Sequence, residues 1–216
     1  MRDIAIYGAG GLGKEVACLI GRINSASKKP IWNLIGFFDD GISIGTSVSH
    51  FGKVIGGLDT IESWDQELDL VLAFGSPKIL STISSKIKNS KINYPNIIDP
   101  SFRINDPQTF SIGHGNVIQN GCAASCDVTI GCFNLFNGSV VLGHDASIGD
   151  CNVLMPGTRI SGEVSIENKN LFGVYSVVLQ QLKVGHGITL AAGSILMTKP
   201  KDNSVYMGIP AKIFKH

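Results

Sequence analysis

His144 and Asp145 are adjacent, and Gly162 follows eighteen positions after the histidine. An imidazole beside a carboxylate is a general base whose tautomer is fixed and whose imidazolium is stabilised. A glycine leaves its backbone N–H open to donate to the oxyanion of a tetrahedral intermediate. These groups suit acyl transfer to an amine or hydroxyl, with a surface imidazole in a turn as the plain alternative. The chemistry asks two things of the fold. Gly162 must lie over His144, and the His144–Asp145 pair must sit at a bend, because successive strand residues point to opposite faces.

The elements that would place them are set by a beat of six. Ile112, Ile118, Ala124, Ile130, Phe136, Leu142, Ile148, Leu154, Ile160, Ile166, Phe172, Val178, Val184, Leu190 and Leu196 follow one another at this interval, and none is polar. Neither a helix nor an alternating strand has this period. A hexapeptide repeat winds the chain into coils of three short strands, so eighteen residues make one turn and residues eighteen apart stack at about 4.8 Å. Gly113, Gly131, Gly143, Gly149, Gly173 and Gly185 each follow a marker residue, as expected where the chain turns tightly. On this ruler Cys126 lies one coil below His144, Gly162 one above, and Gln180 above that. A packed cysteine under the histidine is not needed as a nucleophile. His114 and His186 share a phase but are four coils apart, roughly 19 Å, and His144 occupies another edge. Three imidazoles therefore do not meet at about 2.1 Å from one zinc within a chain, and no metal is expected. His114 and His186 read as exposed turn residues, while His50 and His216 carry no pattern.

Upstream of the repeat the rhythm changes. Ile4 to Tyr7 read as a strand, Gly8-Ala9-Gly10-Gly11-Leu12-Gly13 as a turn, and Lys14 to Ile20 as a helix. Further strands, Leu34 to Phe38 and Leu68 to Phe74, end at Asp39-Asp40 and Gly75-Ser76, and a helix is expected from about Pro77 to Lys88. Such alternation implies a parallel sheet that binds ligands at the carboxyl ends of its strands. Gly8-x-Gly10-x-x-Gly13 lets backbone N–H groups and a helix N-terminus approach a phosphate, with Asp39 available for a ribose hydroxyl. The unit is too small for a full dinucleotide fold, so a mononucleotide or nucleotide sugar suits it better than NAD; a purely structural turn is the alternative. The prolines of Tyr94-Pro95-Asn96-Ile97-Ile98-Asp99-Pro100 mark the boundary. The expected organisation is an α/β Rossmann-like domain over residues 1–93 and an all-β β-helix of about five coils over residues 94–216.

Composition narrows the function classes. The 216 residues carry 18 Lys and Arg against 17 Asp and Glu, which offers no electrostatic footprint for nucleic acid. Neither a signal-peptide core nor a membrane-length apolar run is expected, and five cysteines without a Cys-x-x-Cys pair suggest neither disulfides nor a thiolate zinc site. A reducing, cytoplasmic location with no membrane partner is the expectation.

Taken in order, the glycine loop, Phe38-Asp39-Asp40, Asn96-Ile97-Ile98-Asp99-Pro100-Ser101, the hexapeptides, Asn137 with His144-Asp145, and Gly208-Ile209-Pro210-Ala211-Lys212 resemble the bacterial sugar acyltransferases with a Rossmann-like N-terminal domain. This group includes sialic acid O-acetyltransferases and UDP-4-amino-sugar N-acetyltransferases. The resemblance implies a left-handed parallel β-helix, a homotrimer with active sites at subunit interfaces, and acetyl-CoA bound along the groove between neighbouring coils. It implies His144 as general base, Asp145 as its orienting acid, Gly162 as backbone donor to the thioester carbonyl, and Asn137 at the acceptor sugar. Val174 and Ala192 match positions that meet the pantetheine, and Val153 stands near the cofactor sulfur where some members carry a second histidine. Gly10, Gly11, Leu12, Asp39, Asp40 and Gly75 match the loops that hold the nucleotide. Leu12 and Asp99 replace histidines common in the group. The implied reaction is direct acetyl transfer from acetyl-CoA to an amine or hydroxyl of an activated sugar in surface-glycan synthesis. The rivals are an unactivated acceptor such as sialic acid, a non-catalytic scaffold and a zinc hydrolyase.

Overall fold

The computed structural model describes residues 1–214; His216 lies outside them. The chain opens with β1 (Arg2–Tyr7), α1 (Gly11–Ala26), β2 (Trp32–Phe38), β3 (Val54–Gly56), α2 (Leu58–Glu62), β4 (Leu68–Leu72), α3 (Pro77–Lys86) and β5 (Ile92–Asn93). The five strands form a parallel sheet in the order β3-β2-β1-β4-β5. β1 and β4 are apolar over consecutive residues because helices cover both faces, and Ile4, Ala5, Ile6 and Leu70 are fully buried. The loops after β1 and β4, carrying Gly8 and Gly75, open side by side at the carboxyl edge. Two glycines there are obligatory. Gly8 has φ +114°, and a Cβ on Gly13 would collide with the Gly8 carbonyl oxygen, so only a bare Cα lets α1 pack this closely on β1. β3, α2 and β5 are too short to show a period in the sequence.

From Ile97 onward the chain winds through two-residue strands into three parallel sheets, closing a left-handed parallel β-helix. The sheets hold five, six and eight strands; the last strand of the largest, Ala211–Ile213, runs antiparallel to Val205–Gly208. The solenoid is thus longer than the expected five coils. Ile97–Ile98 already pairs with Val117–Ile118 ahead of the first marker, and Val205 pairs with Thr189 beyond the last. Between Ile104 and Ile112 eight residues replace six, which hides the first coil from the count.

Every marker residue from Ile118 to Leu196 is the second residue of its strand and is at most 3 % exposed. The corners fall three residues after each marker. There Asp127, Phe133, Ser139, Asp145, Cys151, Glu163, Lys169, Tyr175 and Gln181 take φ between 54° and 64°. The glycines next to the markers therefore serve close approach rather than left-handed φ. A Cβ at Gly143 would lie 2.6 Å from the Gly162 nitrogen, and one at Gly131 would lie 2.8 Å from the Gly149 oxygen.

One edge is built on buried asparagines. Asn96 Oδ1 accepts from Asn116 N–H, Asn116 Oδ1 from Asn134 N–H, Asn134 Oδ1 from Asn152 N–H, Asn152 Oδ1 from Asn170 N–H, and Asn170 Oδ1 from Ile188 N–H, at 2.8–2.9 Å. The N-terminal domain sits on the eight-stranded face. There the outward residues Val117, Leu135 and Val153 are at most 4 % exposed and join the core of that domain, with Leu171 partly buried against it.

A buried carboxylate closes the joint. Arg22 Nε on α1 donates to Asp99 Oδ2 at 2.7 Å, and Asp99 Oδ1 accepts from Ser101 N–H and Oγ–H at 2.9 and 2.6 Å. Burial would raise the Asp99 pKa, but the bonds from Ser101 and then Arg22 outweigh it and hold the carboxyl below its ordinary value. A depressed folded pKa adds stability above the unfolded value near 4 that is lost as pH falls through the folded one. Asp99→Asn is therefore expected to cost about 1–3 kcal/mol at about pH 7 and clearly less at about pH 2.5. Urea unfolding at the two pH values checks this, and equal losses would contradict it. Truncating the asparagine column is expected to act independently of pH. Asn152→Ala leaves the Asn170 N–H and the Glu167 carbonyl without their partner, for a loss of about 1–3 kcal/mol in the same measurement.

Candidate active site

His144 and Asp145 occupy the corner between the strands Val141–Leu142 and Ser147–Ile148. Asp145 has φ 56°, which supplies the bend that turns both side chains to one side. His144 Nδ1 and Asp145 Oδ2 are 2.7 Å apart, so the ring carries its proton on Nδ1 and leaves the lone pair on Nε2. The corner is held from both sides: Asp145 N–H donates to the Cys126 carbonyl at 3.0 Å, and the His144 carbonyl accepts from Glu163 N–H at 2.8 Å. The imidazole lies flat against Gly162, where a Cβ would press on Nε2, Cε1 and Cδ2 together. The Gly162 carbonyl accepts from Gln181 N–H at 3.0 Å, while the Gly162 N–H has no acceptor among the described residues. An imidazole with its Nε2 lone pair available and a free backbone donor thus stand next to each other on an open edge, with both side chains of the His144–Asp145 pair 55 % exposed.

The other sequence-identified residues gather elsewhere. Gly11, Leu12, Gly75 and Asn137 line one cavity of about 660 Å³ between α1 and the solenoid. Asn137 is 8 % exposed, its carbonyl accepts from Cys122 Sγ at 3.1 Å, and its amide nitrogen makes only a 3.6 Å contact with Met155 Sδ. Gly10 caps α1 without a side-chain bond, no acidic residue stands in the first turn, and a Cβ at Gly10 or Gly11 would meet nothing within 4 Å. This helix start is open to an anion.

Asp39 and Asp40 are engaged within the protein. Asp39 accepts from Ala9 N–H at 2.9 Å and Gly41 N–H at 2.8 Å, which shapes the glycine loop. Asp40 accepts from Leu58 N–H at 2.8 Å and from the Tyr7 hydroxyl. Burial first, and then the bond to Asp40, raise the Tyr7 pKa and keep it a donor.

Val174 and Ala192 stack with Gly138 and Pro156 on the edge beside this cavity, whereas Cys126, His144, Gly162 and Gln180 form the next edge round. Val153 corrects its expectation: with 0 % exposure it is part of the interdomain core, so its side chain offers a cofactor no surface. Sequence reasoning missed Glu15, Arg22, Gln119 and Met155 in the cavity wall. Counting eighteen either way from Asn137 would have found Gln119 and Met155. Of the remaining histidines, His114 Nδ1 lies 3.4 Å from Cys132 Sγ, and His186 pairs with Glu167. Among the described residues no three His, Cys, Asp or Glu are grouped to hold a metal ion.

A β-helix presenting a His–carboxylate pair beside an open N–H holds the groups that acyl transfer uses. Comparison with known proteins shows what the chain is similar to. Residues 3–87 match the model of the PglD N-terminal domain. The chain is similar to the acetyltransferase domain of PglB from Neisseria gonorrhoeae FA1090, solved with acetyl coenzyme A, at 27 % identity over 99 % of each chain with TM-score 0.87. It shares its fold with PerB from Caulobacter crescentus, solved with CoA and GDP-perosamine, at 22 % identity, 100 % and 98 % coverage and TM-score 0.88. It is also 38 % identical over 52 residues to 2,3,4,5-tetrahydropyridine-2,6-dicarboxylate N-acetyltransferase of Enterococcus faecalis, a match spanning 24 % of this chain and only 22 % of that relative. Residues 3–87 thus form a PglD-type N-terminal domain, and the chain as a whole is similar to bacterial sugar acetyltransferases.

The contact between ring and glycine gives a direct test. Gly162→Ala is expected to displace the imidazole, changing the ring resonances of His144 in NMR spectra and lowering turnover by about 10²-fold, with the fold kept. Unaltered resonances and turnover would mean that the stacking is incidental.

Proposed function

We propose that this protein transfers an acetyl group from acetyl-CoA to an amine or hydroxyl of a nucleotide-activated sugar, such as a UDP-4-amino-4,6-dideoxy sugar. The observation that carries the reading is the His144–Asp145 pair with its imidazole seated on Gly162. Acetyl-CoA supplies the thioester carbonyl. His144 Nε2 takes the proton of the attacking amine or hydroxyl as the new bond to that carbon forms, and Asp145 stabilises the resulting imidazolium. The Gly162 N–H donates to the oxyanion. As the C–S bond breaks, the imidazolium returns the proton to the leaving thiolate, so no acyl-enzyme is required.

The residues fit such ligands. The bare Cα of Gly162 leaves room for a carbonyl, and the partly exposed backbone at Val174 and Ala192 offers a groove for an extended pantetheine. The cavity beside α1 suits a nucleotide sugar, with its phosphates at Gly10, Gly11 and Leu12 and its ring beside Asn137. Because Asp39 and Asp40 are committed to internal bonds, the backbone of the glycine loop is the principal phosphate contact. Acceptor cavity and base lie on neighbouring edges of one chain, which favours a homotrimer in which one copy's cavity faces the next copy's His144. Surface-glycan synthesis in the cytoplasm completes the reading.

His144→Ala is expected to lower turnover by about 10²-fold or more, followed as thiol release from acetyl-CoA, while calorimetry finds acetyl-CoA binding nearly intact. Wild-type turnover in this variant would remove the assignment of the base.

A further inference from the structure

The wall of the cavity beside α1 contains a donor with nothing to donate to. Gln119 is 6 % exposed and forms part of that wall. Its Oε1 accepts from Arg22 Nη2 at 3.3 Å, and the same guanidinium donates through Nε to Asp99 Oδ2 at 2.7 Å. A guanidinium has no acceptor atom, so it selects the oxygen of the amide and leaves the nitrogen on the other side. That nitrogen has no hydrogen-bond partner among the described residues and almost no contact with solvent, so a turn of the side chain must bring it to the cavity that Gln119 lines before it can donate to a ligand. Buried polar groups are paired as a rule, and an orphan donor in a cavity wall marks where a ligand's acceptor belongs.

Its position says which part of a ligand that would be. Gln119, Asn137 and Met155 form one column, with steps of about 4.8 Å between coils. α1 runs alongside, with Gly11 and Leu12 at one end of the cavity and Arg22 at the other, about 16 Å apart along the helix. Gln119 therefore stands one coil from Asn137 at the end far from the glycine loop, a spacing of the order of one sugar ring. The charge balance says what kind of acceptor fits. Arg22 is neutralised by Asp99, and the remaining charged group of the wall, Glu15, is a carboxylate. The far end thus favours a neutral oxygen over an anion.

We propose that Gln119 is a specificity-determining residue of the acceptor site, donating its amide N–H to a hydroxyl or amide carbonyl on the sugar ring of a nucleotide sugar. This rests on the reading of the cavity as the nucleotide-sugar site. Arg22 and Asp99 are positioning residues that set the orientation of the amide.

The test is calorimetric titration of UDP, dTDP and GDP, and of their 4-amino-4,6-dideoxyglucose esters, into the wild type, Gln119→Leu and Gln119→Glu. The glutamate keeps the size of the side chain and its bond to Arg22 but replaces the donor by an acceptor, so it remains informative if the leucine variant folds poorly. For the nucleotide that binds the wild type, both variants are expected to lose about 10- to 100-fold in affinity for the sugar ester and nothing for the bare diphosphate. Unchanged affinity for the ester in Gln119→Glu overturns the proposal, as does an equal loss for ester and diphosphate. Failure of every nucleotide to bind the wild type is a different result: it overturns the nucleotide-sugar reading, and this proposal with it.

Discussion

Each coil must close its backbone hydrogen bonds on the coil above it, and the eighteen-residue registry this imposes governs the rest of the molecule. At one edge the buried asparagine column enforces it, every Oδ1 accepting from the N–H one coil on. A slip of a single residue would leave a chain of buried amides unpaired, at about 1–3 kcal/mol for each. At the turn beside that column, side chains of the next coil also cap the N–H groups: Cys132 N–H donates to Asp150, Asp150 N–H to Asn168, and Asn168 N–H to His186. The edge bearing His144 differs. Over the histidine the next coil offers Gly162, which has no side chain to act as a cap, so the same registry that closes one edge leaves donors free on another.

The sequence made the solenoid legible because its constraint is one-dimensional. One inward residue every six positions survives any change at the corners, and the eighteen-residue ruler placed Gly162 on His144 correctly. Features that depend on outward residues were harder to see. Val117, Leu135, Val153 and Leu171 are apolar where the five-stranded face carries Ser111, Thr129, Ser147 and Ser165. That contrast marks the face covered by the N-terminal domain, but it appears only when outward positions are sorted by face. Val153 was misread for this reason: its column belongs to the interdomain core. The glycines beside the markers were also misassigned, because crowding against the next coil and left-handed φ select the same residue at different positions. Asp39 and Asp40 were recognised as the end of a strand, but a motif does not reveal that their carboxylates hold Ala9, Gly41, Leu58 and Tyr7.

Proximity alone does not make the His144–Asp145 pair strong. With both side chains 55 % exposed, water screens the attraction between imidazolium and carboxylate. The pair gains strength when the edge is covered, because the same two charges interact several-fold more strongly once the surrounding dielectric falls. The N-terminal domain does not provide the cover, since it lies on the eight-stranded face and leaves this edge bare. Among the described residues nothing closes over His144, which leaves that place to a ligand, a second copy or both. In the proposed reaction, an edge that is rigid, uncapped and screened until occupied couples the strength of the pair to the presence of the groups bound there.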